Sequence, residues 1–223
     1  MKTEFPLVEI FDSVEGEGKR TGYMAVFVRF AGCNLRCSYC DTAYSWNVKD
    51  AAEVLNLAEL LDRIHSYPWK KVTLTGGEPL LQPLEELCGI LSQEGYEVNI
   101  ETNGAVPLLR ARPAGLFYTM DVKSPSSGAR EKMLMGNLSQ LNADDVVKFV
   151  VGSQEDLADM VKVLEQYPFT AKVYLSPVYG EIEPKELVEF VREHKLANVC
   201  VQVQLHKVIW DPAMRGVCSG NMM

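Results

Sequence analysis

Three cysteines, Cys33, Cys37 and Cys40, fall in the run Gly32-Cys33-Asn34-Leu35-Arg36-Cys37-Ser38-Tyr39-Cys40-Asp41-Thr42. That spacing lets three thiolates from one loop converge on one metal centre. A tetrahedral zinc site normally takes four protein ligands, and the next cysteine, Cys88, lies far along the chain in an apolar stretch. Three sulfur ligands without a fourth suit a four-iron cluster whose remaining iron is open to an external ligand. A zinc knuckle, or three incidental thiols, is the plainer alternative. A second group is Thr75-Gly76-Gly77-Glu78-Pro79. Its two glycines let a ligand approach the backbone closely, and the Glu78 carboxylate can accept hydrogen bonds from an ammonium group. A third is Glu15-Gly16-Glu17-Gly18, which alone reads as a polar turn between two strands. Cys88 and Cys200 sit in apolar periodic stretches and read as core thiols; Cys218, in the tail, reads as a free thiol.

The elements that must position these groups alternate in type. Strands are expected over 25–30, 71–75, 97–101, 116–122, 146–151, 172–176 and 199–203, and helices over 55–65, 80–94, 154–167 and 184–194. Several strands are β-branched and nearly continuous in apolar residues, as for strands buried on both faces. Pro184 fits the first turn of the last helix. Repeated strand–helix units make an α/β fold with a parallel sheet, either an open doubly wound sheet or a partial (β/α) barrel. Both place a site at the C-terminal strand ends. The chemical groups fall there: the cysteines after the first strand, Gly76–Pro79 after the second, Glu101–Asn103 after the third, Asp121–Ser124 after the fourth, and Ser176 with Pro177 after the sixth.

The bulk numbers set outer bounds. The chain has 223 residues, 47 % hydrophobic and 23 % charged, which suits one domain. Its expected parts are a body with an N-terminal strand extension over 5–24 and a tail over 208–223. A net charge of −8 and a pI near 5.0 argue against a nucleic-acid or anionic-membrane surface. No apolar run approaches the roughly 18 residues of a spanning helix, and acidic residues interrupt the apolar N-terminus, unlike a signal peptide. The expected location is the cytoplasm, where clustered cysteines read as metal ligation before disulfides.

The cysteine spacing, with Tyr39 just before the third thiol and Gly-Gly-Glu-Pro behind the second strand, resembles the radical S-adenosylmethionine (SAM) superfamily. The resemblance implies a [4Fe–4S] cluster on Cys33, Cys37 and Cys40 and a partial, modified (β/α)6-type radical SAM barrel. It also implies that SAM chelates the open iron and is cleaved reductively to a 5′-deoxyadenosyl radical. Further motifs narrow the likeness: Glu-Gly-Glu-Gly at 15–18, Arg29, Cys-Asp-Thr at 40–42, Thr-Gly-Gly-Glu-Pro at 75–79, Glu-Thr-Asn-Gly at 101–104 and Gln-Leu-His-Lys at 204–207. Together they resemble the 7-carboxy-7-deazaguanine synthase family of the queuosine and deazapurine pathway. That family converts 6-carboxy-5,6,7,8-tetrahydropterin to 7-carboxy-7-deazaguanine with loss of ammonia, using SAM catalytically and Mg2+.

Roles follow from the resemblance and from residue chemistry. Tyr39, Cys40 and Asp41 would supply backbone near the SAM adenine. Gly77 and Glu78 would face its methionine end, and Asp121, Lys123, Ser124 and Ser176 would take its ribose and carboxylate. The Thr42 hydroxyl, a hard oxygen donor, would ligate Mg2+, although a threonine at a loop end is also an ordinary helix cap. Arg29 would pair the substrate carboxylate. Val14, Glu15 and Gly16 would read the pterin edge, whose adjacent N–H groups suit a carboxylate, and Thr75 and His206 would complete the substrate site. His65 and His194 read as solvated. No side chain is assigned the bond-breaking step, which belongs to cluster and SAM. The resemblance also implies a homodimer; the cluster needs an electron donor such as flavodoxin or ferredoxin. The alternative is a radical SAM activating enzyme acting on a glycyl-radical protein partner; Glu-Gly-Glu-Gly and Cys-Asp-Thr favour a small Mg2+-bound substrate instead. A non-catalytic metal-binding module would leave the Gly-Gly-Glu-Pro turn unexplained.

Overall fold

The computed structural model of the chain describes residues 3–211. Cys218 and the tail from residue 212 onward lie outside them. Nine strands form one sheet: β1 (Glu4–Val14), β2 (Met24–Phe30), β3 (Glu53–Asn56), β4 (Lys71–Gly76), β5 (Glu97–Thr102), β6 (Leu116–Val122), β7 (Val146–Val151), β8 (Lys172–Pro177) and β9 (Val199–Val201). Their order is β3-β1-β2-β4-β5-β6-β7-β8-β9. The strand β1 runs antiparallel to both β2 and β3, and from β2 to β9 every pairing is parallel. The two edge strands, β3 and β9, do not pair, so the barrel is partial and open.

The strands alternate more strictly than their apolar content implies. Because side chains on a strand point to opposite faces in turn, Val72 and Leu74, Val98 and Ile100, Tyr118 and Met120, and Val147 and Phe149 share one face and belong to the apolar core. The helices α1 (Leu57–His65), α2 (Glu85–Gln93), α3 (Gln154–Gln166) and α4 (Pro184–Glu193) follow β3, β4, β7 and β8. The other face carries Thr73, Asn99 and Thr119, all buried, and above them Thr75, Glu101, Asp121 and Lys148, which line a cavity. Both faces are covered, but the inner one is polar.

Differences from the expected elements have local causes. The helix expected over 55–65 begins at Leu57, because Val54 and Leu55 pair with β1. Asn56 then caps it: its Oδ1 accepts from the backbone N–H of Ala58 and Glu59, and the Glu59 carboxylate accepts from Asn56 N–H. The helix expected over 80–94 splits into a short 3-10 turn at Pro79–Leu81 and α2, because Pro83 cannot continue a helical hydrogen-bond ladder. Among the described residues, the β5–β6 and β6–β7 connections carry no α-helix. The first contains Gly104, Pro107, Pro113 and Gly115, each a helix breaker. The last strand ends at Val201 and not at 203. Cys88 is buried as expected, but Cys200 is exposed because β9 is an edge strand.

Candidate active site

A cavity of about 620 Å³ opens at the C-terminal ends of the parallel strands. Cys33, Cys37, Cys40, Tyr39, Asp41 and Thr42 line it from the cluster loop, Thr75, Gly77, Asp121 and Lys123 from strand ends, and Val14, Glu15, Gly16 and Arg29 from the N-terminal hairpin. His206 reaches it from the short α5 (His206–Ile209). Glu78, Ser124 and Ser176 are buried and do not reach its wall.

The cluster loop is held from both sides. Gly32 N–H donates to Ser45 O at 2.8 Å and Cys33 N–H to Trp46 O at 3.0 Å. Leu35 plugs into the interior, and Arg36 lies over the Trp46 ring. On the far side Ser38 donates from its N–H to Ser127 O at 3.0 Å and from its hydroxyl to Ser126 O at 2.6 Å. Beneath the loop sits the Gly-Gly turn. Gly76 has φ +127°, and a Cβ on Gly77 would stand 2.2 Å from Gly32 O and 2.8 Å from Ser45 O. The paired glycines thus permit two backbones to touch, with Glu78 N–H donating to Gly32 O at 2.8 Å.

Glu78 acts behind the wall. Its carboxylate accepts from Asn103 N–H at 2.7 Å, the Thr102 hydroxyl at 2.8 Å and Leu80 N–H at 3.0 Å. Burial pushes its carboxyl up to about 7 despite these donors. An ammonium at this turn would therefore meet the Gly76–Gly77 backbone before the Glu78 side chain. Asn103, which the carboxylate positions, donates from its amide to Asn34 Oδ1 at 2.8 Å and to Cys33 Sγ at 3.7 Å. Ser124 likewise serves Tyr39, whose hydroxyl lies 3.1 Å from its Oγ, and donates to Val150 O at 3.0 Å. Ser176 Oγ is buried with no partner among the described residues.

The donor set fits an iron–sulfur cluster. The three thiols line one cavity and are half-buried. Cys33 Sγ takes hydrogen bonds from Leu35 N–H at 3.4 Å and from Asn103, the outer-shell support that tunes a thiolate ligand. Burial raises the Cys33 and Cys37 thiols, with Lys123 pulling Cys37 back down. Among the described residues no three of His, Cys, Asp and Glu are gathered closely enough for a single ion. The Thr42 hydroxyl makes no capping bond and lies 3.7 Å from Cys40 Sγ, so the helix-cap role is not realised, and the residue lines the cavity.

The part of the cavity beside the N-terminal hairpin is charged. Glu15 does not present its carboxylate as expected: it is buried, held by the Arg20 guanidinium and the Thr73 hydroxyl, and its backbone is bonded to Tyr23 and Gly22. Of the two acids in this turn, Glu17 is the one whose carboxylate is not held by Arg20, and it too lines the cavity. Its Oε2 accepts from Lys148 Nζ at 3.2 Å, while Oε1 is buried with no partner among the described residues. Lys148 also lies 3.1 Å from Asp121, which pairs with Lys123 at 2.8 Å. Burial alone would lower the Lys148 amine, but Asp121, Glu17 and Glu101 hold it well above its ordinary value. Glu101 is pushed up to about 7 by burial and by Glu15 and Glu17, against Lys148. Arg29 donates from Nε to Glu9 at 2.7 Å, and the Tyr44 hydroxyl donates to the same oxygen. The His206 ring covers Gly16, where a Cβ would fall 2.1 Å from Nδ1; burial lowers its pKa. Sequence reasoning put Glu17, Glu101 and Asn103 in motifs at the site but gave them no role, and missed Lys148. Lys148 carried a signal, a lone lysine inside the apolar strand Val-Val-Lys-Phe-Val-Val.

Residues 27–193 match the radical SAM superfamily, and the chain belongs to it. Full-length relatives refine this. The chain is 44 % identical to the 7-carboxy-7-deazaguanine synthase of Clostridium acetobutylicum over 96 % of this chain and 99 % of that one. It is 40 % identical to that of Methanospirillum hungatei over 92 % and 86 %, and 36 % identical to that of Chlorobaculum tepidum over 97 % and 100 %. It is a member of the 7-carboxy-7-deazaguanine synthase family. The crystal structure of QueE from Escherichia coli superposes with a TM-score of 0.73 over 91 % of this chain and 95 % of that one, at 23 % identity, and shares the fold. These relatives favour the synthase reading over an activating enzyme for a glycyl-radical protein.

Proposed function

We propose that the chain converts 6-carboxy-5,6,7,8-tetrahydropterin to 7-carboxy-7-deazaguanine with loss of ammonia, acting as a single radical SAM domain. The observation that carries this is one cavity uniting the cysteine loop, the Gly-Gly turn and the Glu-Gly-Glu-Gly turn. Cys33, Cys37 and Cys40 hold the [4Fe–4S] cluster. Tyr39, Cys40, Asp41 and Gly77 lie where SAM would dock, with Asp121 and Lys123 as its further polar contacts. When bound, the cluster and SAM would supply the radical chemistry of the reaction. Thr42 offers its oxygen to Mg2+ beside the substrate carboxylate, and Arg29 pairs that carboxylate. Val14, Gly16, Thr75 and His206 shape the pterin slot. Glu17, whose Oε1 has no partner among the described residues, takes over from Glu15 the task of accepting from the pterin N–H edge. Glu78 and Ser124 keep Asn103 and Tyr39 in place. Flavodoxin or ferredoxin would reduce the cluster, in the cytoplasm, and a homodimer is the assembly the family reading brings.

The test is anaerobically reconstituted protein with dithionite, SAM, Mg2+ and 6-carboxytetrahydropterin, followed by mass spectrometry. The expected result is 7-carboxy-7-deazaguanine, abolished in Cys37→Ala. Formation of 5′-deoxyadenosine without that product would keep the radical chemistry and reject the substrate.

A further inference from the structure

The substrate turn belongs to the N-terminal hairpin, yet the residue that grips it most fully comes from the far end of the chain. Gln202 follows the edge strand β9, where its own N–H donates to Leu175 O at 2.9 Å. Its side-chain amide meets the turn with every polar atom. Gly18 N–H donates to Oε1 at 2.6 Å, while Nε2 donates to Gly18 O at 3.2 Å and to Thr21 Oγ1 at 2.7 Å. The amide thus reproduces, across 184 residues of sequence, the two-way pairing of neighbouring strands, at the gap where the open sheet has no strand. Two residues further on, Leu205 N–H donates to Gly16 O at 3.0 Å and the His206 ring lies on Gly16.

We infer that Gln202 is a positioning residue for the pterin site: its amide spans the open side of the barrel and sets the Gly16–Gly18 turn, and through it Glu17 and the seat of His206. This rests on the functional reading above. Gln202 does not line the cavity, so it acts through the turn. Gly18 has φ +71° and lacks a Cβ, so hydrogen bonds and not packing must set its place. Losing them frees the turn at a cost in substrate affinity; among the described residues Gly16–Gly18 make no direct hydrogen bond to the cluster loop, which the neighbouring Lys207 reaches through Asp41 at 3.3 Å.

The experiment compares the holoenzyme with Gln202→Ala, Gln202→Glu and Thr21→Val. It reads KM for the carboxypterin, kcat, iron content and substrate-free formation of 5′-deoxyadenosine, plus amide hydrogen exchange over residues 15–22. Gln202→Ala should raise KM about tenfold with kcat within about twofold, as expected for lost ground-state positioning. Iron and uncoupled SAM cleavage should stay unchanged and exchange over 15–22 should quicken. Gln202→Glu has the same shape but sets an oxygen against Gly18 O, so it should be no better than alanine; a packing role would tolerate it. Thr21→Val removes one of the amide's three bonds and also the Thr21 hydroxyl's own bond to Gly18 O at 2.8 Å, and should raise KM by about two- to fivefold. Unchanged KM in Gln202→Ala, or wild-type behaviour of Gln202→Glu, overturns the inference; should alanine not fold, the other two variants decide. If wild type cleaves SAM but makes no product, the functional reading fails, while exchange still tests the inference: unaltered protection of 15–22 in the variants rejects it.

Discussion

At the residue scale the site separates groups that face the cavity from groups that hold them. Thr42 is the clearest of the first kind, since its hydroxyl has no cap to make. Thr42→Ala should keep iron and the slow uncoupled cleavage of SAM while losing most Mg2+-dependent turnover, seen by titrating Mg2+ against product. Unaltered Mg2+ dependence would remove it from the metal site. Glu101 makes a prediction of another sort. Its carboxyl is raised from the ordinary 4.5 to about 7, so the folded chain binds a proton that the unfolded chain releases. The stability this contributes is full below about 4.5 and is lost as pH rises through about 7. Glu101→Gln cannot titrate. From about pH 6 to about pH 8 it should therefore gain on wild type by about 1–3 kcal/mol, the smaller figure allowing for partial exposure. Thermal unfolding at several pH values measures this, and parallel pH curves would show that Glu101 is not proton-linked to folding.

At the element scale the unit of function is the contact between the cluster loop and the turn after β4. Gly77→Ala would drive a Cβ into Gly32 O and Ser45 O, and both are backbone atoms that cannot swing aside. The loop must shift off the turn. We expect a stability loss of about 2–4 kcal/mol, with iron content and SAM cleavage falling together while far-ultraviolet circular dichroism is kept; full iron loading would show that the loop does not depend on the contact. Much of this element was readable beforehand, because Cys-x3-Cys-x2-Cys and Gly-Gly-Glu-Pro each state a chemistry and a strand end on which to place it. The strands of the barrel were readable from their β-branched, nearly continuous apolar runs, and Leu116–Val122 and Val146–Val151 fall where expected. What stayed hidden depends on partners distant in sequence. The 53–56 segment has helical neighbours and becomes strand only because β1 runs beside it. Glu15 and Glu17 look equivalent in Glu-Gly-Glu-Gly and both line the cavity, and only the fold shows that Arg20 and Thr73 hold the first carboxylate while Lys148 meets the second.

At the scale of the whole molecule, an open sheet with a polar inner face must be closed by something other than another strand. Residues 15–21 do this, passing under the cavity from one side of the sheet to the other. Arg20 donates to Glu97 O at 3.0 Å and Val72 O at 3.2 Å, at the starts of β5 and β4. The Lys19 ammonium sits 3.5 Å above the Phe117 ring of β6 and donates to Asp144 O just before β7, and Gln202 completes the span beyond β9. The keystone is the buried Arg20–Glu15 pair, both nearly without solvent exposure. Burial raises the Glu15 carboxyl even with Arg20 beside it, which shows how much its charge depends on that partner. Arg20→Met leaves the carboxylate buried without its cation and should lower unfolding stability by about 3–5 kcal/mol, because an uncompensated interior charge is the expensive case. Removing both charges, as Arg20→Met with Glu15→Gln, should recover at least about half of that loss, since an uncharged pair of similar volume often replaces a buried ion pair with little penalty. Urea unfolding of the two single variants and the double variant measures the coupling. Additive losses would mean that the two side chains stabilise the barrel independently. A loss below about 1 kcal/mol for Arg20→Met alone, the range of an exposed pair, would mean that the turn lies over the open barrel without closing it.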